Sequence, residues 1–148
     1  MAHAEPTLLR RDNLGFLLAK ATQRWNEILA GRFAKAGFGH IRPSYGSLLV
    51  PLFEEDGLRL GELAKRSRLS KQTMTTMVRL IEREKLVRCR ADPEDGRAKR
   101  VYLSEAAQRF RPVAQRVLAE IDKLVRDDST PTEIEIVRTW LKRFSGLP

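Results

Sequence analysis

The chain lacks several features that mark whole classes of protein. It has one cysteine in 148 residues, which excludes an internal disulfide, and it lacks the CxxC spacing of zinc sites. Its two histidines, His3 and His40, do not form a pair with metal-ligand spacing. No apolar run approaches the roughly 20 residues that a membrane span needs, and Met1 to Arg11 lack the apolar core of a signal peptide. We expect a cytoplasmic protein without metal or cofactor.

Catalytic motifs are equally scarce. The sequence contains no nucleophile elbow, no glycine-rich phosphate loop and no HExxH helix. The acidic cluster at residues 54–56 falls at the predicted end of a helix, where a solvated surface is a simpler explanation than catalysis. We therefore do not expect an enzyme.

Positive charge, by contrast, is abundant and unevenly placed. Of the net charge of +9, residues 57–103 supply +7 (13 Lys/Arg against 6 Asp/Glu), and the rest of the chain supplies only +2 (15 against 13). A concentrated basic block suggests a surface that binds phosphates. Charge alone leaves open a basic surface patch without a partner.

Apolar periodicity predicts a mainly α-helical single domain spanning residues 1–148. Long helices are expected over about 13–36, from Ser104 to about 127, and from Thr130 onward. A shorter helix from Pro43 contains Pro51, which should kink or shorten it. The final helix opens with a capping box, with proline at its first position.

The middle of the chain predicts a helix-turn-helix. A short extended stretch at residues 58–60 precedes a helix over 61–67, and Ser70 should cap a further helix to about residue 85. We expect one face of that helix to be buried through Met74, Met77, Val78 and Ile81. The side chains expected to contact DNA are Ser70, Lys71, Gln72, Thr73, Thr75, Thr76 and Arg79. Considered alone, a solvated polar face is the alternative explanation of this pattern.

Two alternating runs, residues 86–90 and 99–103, predict a small β-hairpin with a long tip. Val87, Cys89, Val101 and Leu103 should share the inward face, so Cys89 is expected to be structural rather than redox-active. Arg97 stands at the tip and could enter a minor groove, with Lys99 following it. Asp95 could orient the Arg97 guanidinium, or Asp95 and Gly96 could simply make the turn.

These residues carry a resemblance to the MarR (multiple-antibiotic-resistance regulator) family of bacterial transcription factors. The family's wing signature, Asp-x-Arg followed by Leu-Thr/Ser, falls on Asp95, Arg97, Leu103 and Ser104. The segments Asp56-Gly57-Leu58 and Gly61-Glu62-Leu63-Ala64 also match the part before the recognition helix. The resemblance covers nearly the whole chain.

The resemblance implies a winged helix-turn-helix lobe at residues 55–104, with dimerisation helices at 10–40 and 105–148. It also implies a homodimer that binds a pseudo-palindromic operator in double-stranded DNA. The expected function is a sequence-specific transcriptional regulator, a repressor released by a small aromatic or phenolic effector. The alternative is a winged-helix protein-interaction module, or an architectural DNA-binding module that needs no ligand.

Members of the family often bind such effectors between the dimerisation helices and the DNA-binding lobe. The sequence does not identify the ligand-binding residues. Four aromatic residues could line such a pocket or could simply pack in the core: Trp25, Phe38, Tyr45 and Phe53.

Overall fold

The computed structural model describes residues 7–148. The expectations for His3 and for residues 1–6, the start of a segment expected to lack a signal peptide, lie outside these residues. The helices are α1 (Leu14–Lys35), α2 (Gly46–Glu54), α3 (Leu60–Arg66), α4 (Lys71–Arg83), α5 (Glu105–Asp127) and α6 (Pro131–Ser145). The strands are β1 (Leu58–Arg59), β2 (Val87–Ala91) and β3 (Lys99–Leu103), and a 3-10 turn spans Pro43–Tyr45. The predicted element order is confirmed: the fold is mainly helical with a small antiparallel sheet.

Polar side chains fix where the long helices begin. Ser70 accepts a hydrogen bond from the Thr73 N–H at 3.0 Å, and Ser104 accepts one from the Ala107 N–H at 3.2 Å. Thr130 and Glu133 form the predicted reciprocal capping box at the start of α6. Each cap satisfies a backbone N–H that the first turn of a helix leaves without a partner.

Pro51 lies in the nine-residue helix α2, which ends at Glu54. Because proline has no N–H, the carbonyl of Ser47, four residues earlier, loses its usual helical partner. The Ser67 hydroxyl, at the end of α3, donates a hydrogen bond to this carbonyl. The proline therefore creates an acceptor that ties α2 to the helix-turn-helix.

The sheet has the strand order β1-β3-β2, and both pairs are antiparallel. Val101 on the central strand pairs with Leu58 on one side and with Cys89 on the other. Leu58, Val87, Val101 and Leu103 are buried, as alternation predicted for the last three, and Cys89 is half-buried. The opposite face carries mostly arginines and is exposed to solvent or half-buried.

One hydrophobic core joins the helix-turn-helix to the long helices. Leu48, Leu63, Met74 and Ile81 are fully buried, and the Phe33 ring of α1 meets the Phe110 ring of α5 edge to face, with centroids 5.0 Å apart. The sheet and α4 are therefore held in a fixed relation to α1 and α5.

Helix α6 contributes no buried residue to this core. Four of its large apolar side chains are exposed to solvent: Ile136, Val137, Leu141 and Phe144. The first half of α1 is similar, because Leu14, Phe16 and Leu17 are exposed. None of the helices within residues 7–148 is both long and apolar enough to cross a membrane.

Candidate nucleic-acid interface

Helix α4 separates an apolar face from a polar one, as predicted. Met74, Val78 and Ile81 are buried, and Met77 is half-buried. The predicted contact residues on the other side are exposed, except Thr75, which is half-buried: Ser70, Lys71, Gln72, Thr73, Thr76 and Arg79. The helix is held rigidly by its inner face, so its outer face can present a fixed pattern of side chains.

The hydroxyls of Thr75 and Thr76 are already used inside the helix. Thr75 donates to the Lys71 carbonyl at 2.8 Å, and Thr76 donates to the Gln72 carbonyl at 3.1 Å. Each threonine can therefore offer a partner only oxygen lone pairs and a methyl group. A methyl group suits contact with thymine in a major groove, so Lys71, Gln72 and Arg79 are the main hydrogen-bond donors on this face.

The wing tip is closed by backbone and carboxylate hydrogen bonds. The Asp92 N–H donates to the Ala98 carbonyl at 2.9 Å, and the Ala98 N–H donates to the Asp95 carbonyl at 3.0 Å. Asp95 Oδ1 accepts a hydrogen bond from the backbone N–H of Arg97 at 3.0 Å. Asp95 thus fixes the turn that projects the Arg97 side chain.

The suggested pairing of Asp95 with the Arg97 guanidinium is not formed. Asp95 instead bonds to the backbone of the turn, as the alternative interpretation held. Within residues 7–148 no ion pair joins these two side chains. The physical reason is that a fully hydrated surface pair gains little, whereas the carboxylate gains a local backbone bond. The Arg97 side chain is exposed.

A cleft of about 480 Å³ lies between the wing and the start of α3 and α4. Four cationic side chains and one acidic side chain line it: Arg59, Lys71, Arg97, Lys99 and Glu62. Glu62 is already bonded to Arg66, with 3.0 Å between Oε1 and Nε. The structure therefore brings the predicted Lys71, Thr75, Arg97 and Lys99 around one cationic space.

Sequence reasoning did not single out Arg59. The only local signal for Arg59 is that it follows buried Leu58 and is itself exposed. A strand of two residues is too short to show an alternating pattern. Its partner Asp92 was also missed, since an aspartate before a proline reads as an ordinary turn residue.

Asp92 is a buried carboxylate, with its residue only 3% exposed. Its Oδ2 accepts from Arg59 Nε at 2.6 Å and from Arg100 Nε at 3.1 Å, and its Oδ1 accepts from the Glu94 N–H at 2.9 Å. The Glu94 N–H lowers the pKa of the Asp92 carboxyl below its usual value, and the two arginines add to this effect against the opposing effect of burial. Asp92 is therefore ionised at neutral pH.

Cys89 has the environment of a structural residue. Burial raises the pKa of its thiol, and nearby Glu82, whose Oε2 lies 2.9 Å from the Cys89 backbone nitrogen, raises it further. A raised pKa leaves less thiolate, which is the reactive form.

Two of the three acidic residues at residues 54–56 are bound to neighbouring groups. Glu55 pairs with Arg66 at 2.7 Å, and Asp56 Oδ1 accepts from the backbone N–H groups of Gly57 and Leu103. No cluster of three or more His, Cys, Asp or Glu that could hold a metal occurs among residues 7–148.

The four aromatic candidates for an effector pocket separate into two pairs. Trp25 and Phe53 line a cavity of about 210 Å³ between α1, α2 and α5. Tyr45 is buried at 3% exposure, and Phe38 packs against Phe110 with ring centroids 5.3 Å apart. Arg42 is the one charged residue that lines this cavity.

Comparison with known proteins agrees with this geometry. Residues 42–99 match the model of the MarR family. A probable transcriptional regulator from Pseudomonas aeruginosa is 27% identical, with a TM-score of 0.77 over 90% of this chain and 97% of that one. No curated protein matches the chain in sequence.

Two more distant structures share the fold. PcaV, a transcriptional regulator from Streptomyces coelicolor solved with its natural ligand, is 18% identical with a TM-score of 0.79, covering 97% of this chain and 98% of that one. MepR from S. aureus, solved with DNA, is 18% identical with a TM-score of 0.77, covering 90% and 96%. Residues 42–99 thus match the MarR family model, and nearly the whole chain shares the winged-helix fold of solved transcriptional regulators.

Proposed function

We propose that this chain is a MarR-family regulator that acts as a homodimer, binds a pseudo-palindromic operator and represses transcription until a small effector releases it. In this proposal the polar face of α4 enters the major groove and Arg97 at the wing tip enters the adjacent minor groove. Repression follows from occupancy of the operator, and release follows from a change in the spacing of the two recognition helices.

The observation that carries the proposal is the shared cleft between the wing and α4. Lys71 from α4 and Arg97 and Lys99 from the wing border the same cationic space. A DNA backbone separates the major from the minor groove, so a protein that enters both must hold phosphates between its two reading elements. Cations at this place suit that task.

The side chains of the α4 face divide into positioning and reading groups. Ser70 and Lys71 lie at the helix N-terminus, where backbone N–H groups and an ammonium favour phosphate. Gln72 offers an amide donor and acceptor that suit an adenine edge, and Arg79 offers paired donors that suit a guanine edge. Thr73 accepts a hydrogen bond from the Ser70 hydroxyl at 2.8 Å and helps hold the cap.

Exposed apolar surface supports a dimer of two copies. An open groove of about 680 Å³ between α6 and the α1–α5 pair is lined by apolar side chains that include Trp25, Val125, Val137 and Leu141. A single chain gains nothing from leaving these groups in water. A two-fold partner that contributes the same helices would cover them and would pair the two recognition helices for a symmetric site.

The cavity beside Trp25 and Phe53 is the effector site in this proposal. Its volume of about 210 Å³ exceeds the roughly 150 Å³ of an apolar cavity known to accept a benzene ring. Arg42 could pair with a carboxylate on an aromatic ring. Since α1 and α5 meet α2 here, a bound ring would alter how the long helices sit on the DNA-binding lobe.

The related structures support both halves of the proposal. MepR, which shares this fold, has been captured on DNA, and PcaV has been captured with its natural ligand. By analogy, we assign this chain both a DNA surface and a small-molecule cavity. The analogy concerns the fold, and the residues named above are argued from this chain.

A salt titration on duplex DNA tests the electrostatic part of the proposal. The logarithm of the association constant should fall steeply and linearly with the logarithm of salt concentration, as phosphates release counterions. Affinity that hardly changes with salt would contradict the proposal. It would favour a winged-helix module that binds protein partners through its long helices.

Tryptophan fluorescence tests the effector site. In a Trp140→Phe background, titration with benzoate or salicylate should change the emission of Trp25, and the same ligand should weaken DNA binding. An Arg42→Ala variant should need more of the acid for the same change. If these acids change neither the Trp25 emission nor the DNA binding of the Trp140→Phe protein, the cavity is not the effector site.

A further inference from the structure

Three arginines lie side by side across the exposed face of the sheet. Arg100 on the central strand β3 is paired with Arg59 on β1 and with Arg90 on β2. Like charges directly opposite each other on antiparallel strands destabilise the pairing. Repulsion among these three arginines therefore destabilises the sheet, and a nearby anion would reduce it.

Buried Asp92 neutralises two of the three arginines, but it uses them differently. Arg100 is held by two acceptors: its Nε donates to Asp92 at 3.1 Å and its Nη1 donates to the Gly57 carbonyl at 2.8 Å. Arg59 donates only its Nε, at 2.6 Å. Among residues 7–148, no hydrogen bond is made by the two terminal nitrogens of Arg59.

Arg59 also stands at the right place for a ligand. Its side chain is 44% exposed and lines the cationic cleft together with Lys71 and Lys99. Arg90, at the other end of the row, is exposed but is not part of the cleft lining. A guanidinium held through Nε by a buried carboxylate keeps a fixed direction, and its remaining donors suit two oxygens of one phosphate.

We infer that Arg59 binds a DNA phosphate in the cleft between the wing and α4, and that buried Asp92 is the residue that positions it. The inference rests on the proposed placement of the chain on DNA. It adds a contact from strand β1, at the point where the backbone passes between the two grooves. Asp92 thereby links the wing to β1 and aims a donor at the DNA.

Arg59→Ala and Arg90→Ala form a matched pair for the test, because both remove one arginine from the same row. On one duplex, Arg59→Ala should lower the affinity about tenfold and make the salt dependence shallower by about one phosphate. Arg90→Ala should change both much less. Equal effects of the two variants would overturn the inference, since they would show a response to net charge alone.

Asp92→Asn tests the positioning role by the sign of its effect. Removing a negative charge from a DNA-binding protein should by itself raise its affinity for DNA. We expect the affinity to fall instead, and we expect Arg59→Ala combined with Asp92→Asn to be no weaker than Arg59→Ala alone. Additive losses, or tighter binding by Asp92→Asn, would contradict the positioning role.

Arg59→Lys keeps the test decisive if Asp92→Asn does not fold. Lysine keeps the charge but has a single nitrogen, so it cannot bind Asp92 and present a two-point donor edge at once. Its affinity should therefore be close to that of Arg59→Ala, and wild-type affinity would contradict the inference. A wild-type chain that binds no duplex would instead refute the proposed function.

Discussion

At the scale of single residues, the charged side chains of the interface differ in how firmly they are held. Arg100 and Asp92 are each fixed by more than one hydrogen bond. Arg59 is held by Asp92 through its Nε, and Arg97 is exposed on a closed turn. This gradient runs from the sheet to the wing tip. In the proposed complex, a rigid base would support a tip that adapts to the minor groove.

The wing-tip arginine gives the first prediction. Arg97→Ala should weaken duplex binding by about tenfold, because it removes the group proposed to enter the minor groove, and should leave the thermal unfolding curve unchanged. Fluorescence anisotropy with a labelled duplex measures the first effect, and circular dichroism measures the second. Arg116→Ala, an exposed arginine on α5, is the control and should bind as the wild type does. If Arg97→Ala binds the duplex as tightly as the wild type does, the wing has no part in the mechanism.

The ionisation of Asp92 gives a pH prediction. Its pKa is lowered in the folded state, so the carboxylate stabilises the fold above the unfolded pKa of about 3.9 and loses this contribution as the pH falls through the folded pKa. Urea unfolding of wild type and Asp92→Asn should therefore differ most near neutral pH. The difference in unfolding free energy should shrink below about pH 4. A difference that is constant down to acid pH would contradict the assignment.

At the scale of elements, local signals in the sequence were enough to place the helices and the hairpin. Ser70, Ser104 and the Thr130–Glu133 box mark helix starts within one residue. Alternation gave the buried side of the wing strands correctly, because the side-chain period of a strand is two residues. These features depend on a few neighbouring residues, which a sequence shows directly.

Contacts between distant segments could not be predicted in the same way. Asp92 meets Arg59 across 33 positions, and the Ser67 hydroxyl meets a carbonyl in α2 across 20. The pattern around Asp95 and Arg97 suggested a side-chain pair, but the local Asx turn satisfies the carboxylate first. The aromatic residues likewise gave no sign of which would pack in the core and which would line a cavity.

The capping box of α6 gives an element-level prediction. Thr130→Ala removes the side-chain acceptor for the Glu133 N–H and should lower the free energy of unfolding by about 1 kcal/mol. Thr132→Ala lies in the same turn, has an exposed side chain and makes no capping bond, so it should change stability much less. Urea unfolding at one fixed protein concentration compares them. Equal losses would show that the cap contributes nothing specific.

At the scale of the whole molecule, the chain has a well-buried centre and an uncovered end. The core joins the DNA-binding lobe to α1 and α5, whereas α6 and the first half of α1 present apolar side chains to solvent. In the proposed dimer, a second copy would cover that end, and the pair would present two wings and two recognition helices.

The proposed dimer predicts the effect of a charge placed on the apolar groove of α6. Val137→Glu should shift the chain from dimer to monomer in sedimentation analysis and weaken operator binding in parallel, because it places a charge in the apolar groove. Thr139→Glu adds the same charge two positions away, on the other side of the helix, and should remain dimeric. A wild-type chain that sediments as a monomer at micromolar concentration would contradict the proposed dimer.

Selection of bound sequences from a pool of random duplexes tests whether the chain is a dimer that reads DNA with α4 and the wing. Such a dimer should enrich one motif with two-fold symmetry and half-sites about one helical turn apart. The same selection with Arg97→Ala should keep the major-groove positions and lose preference at the positions proposed to face the wing. If the wild-type chain enriches no motif, or a motif without symmetry, the proposal of a dimer that reads DNA with α4 and the wing is contradicted.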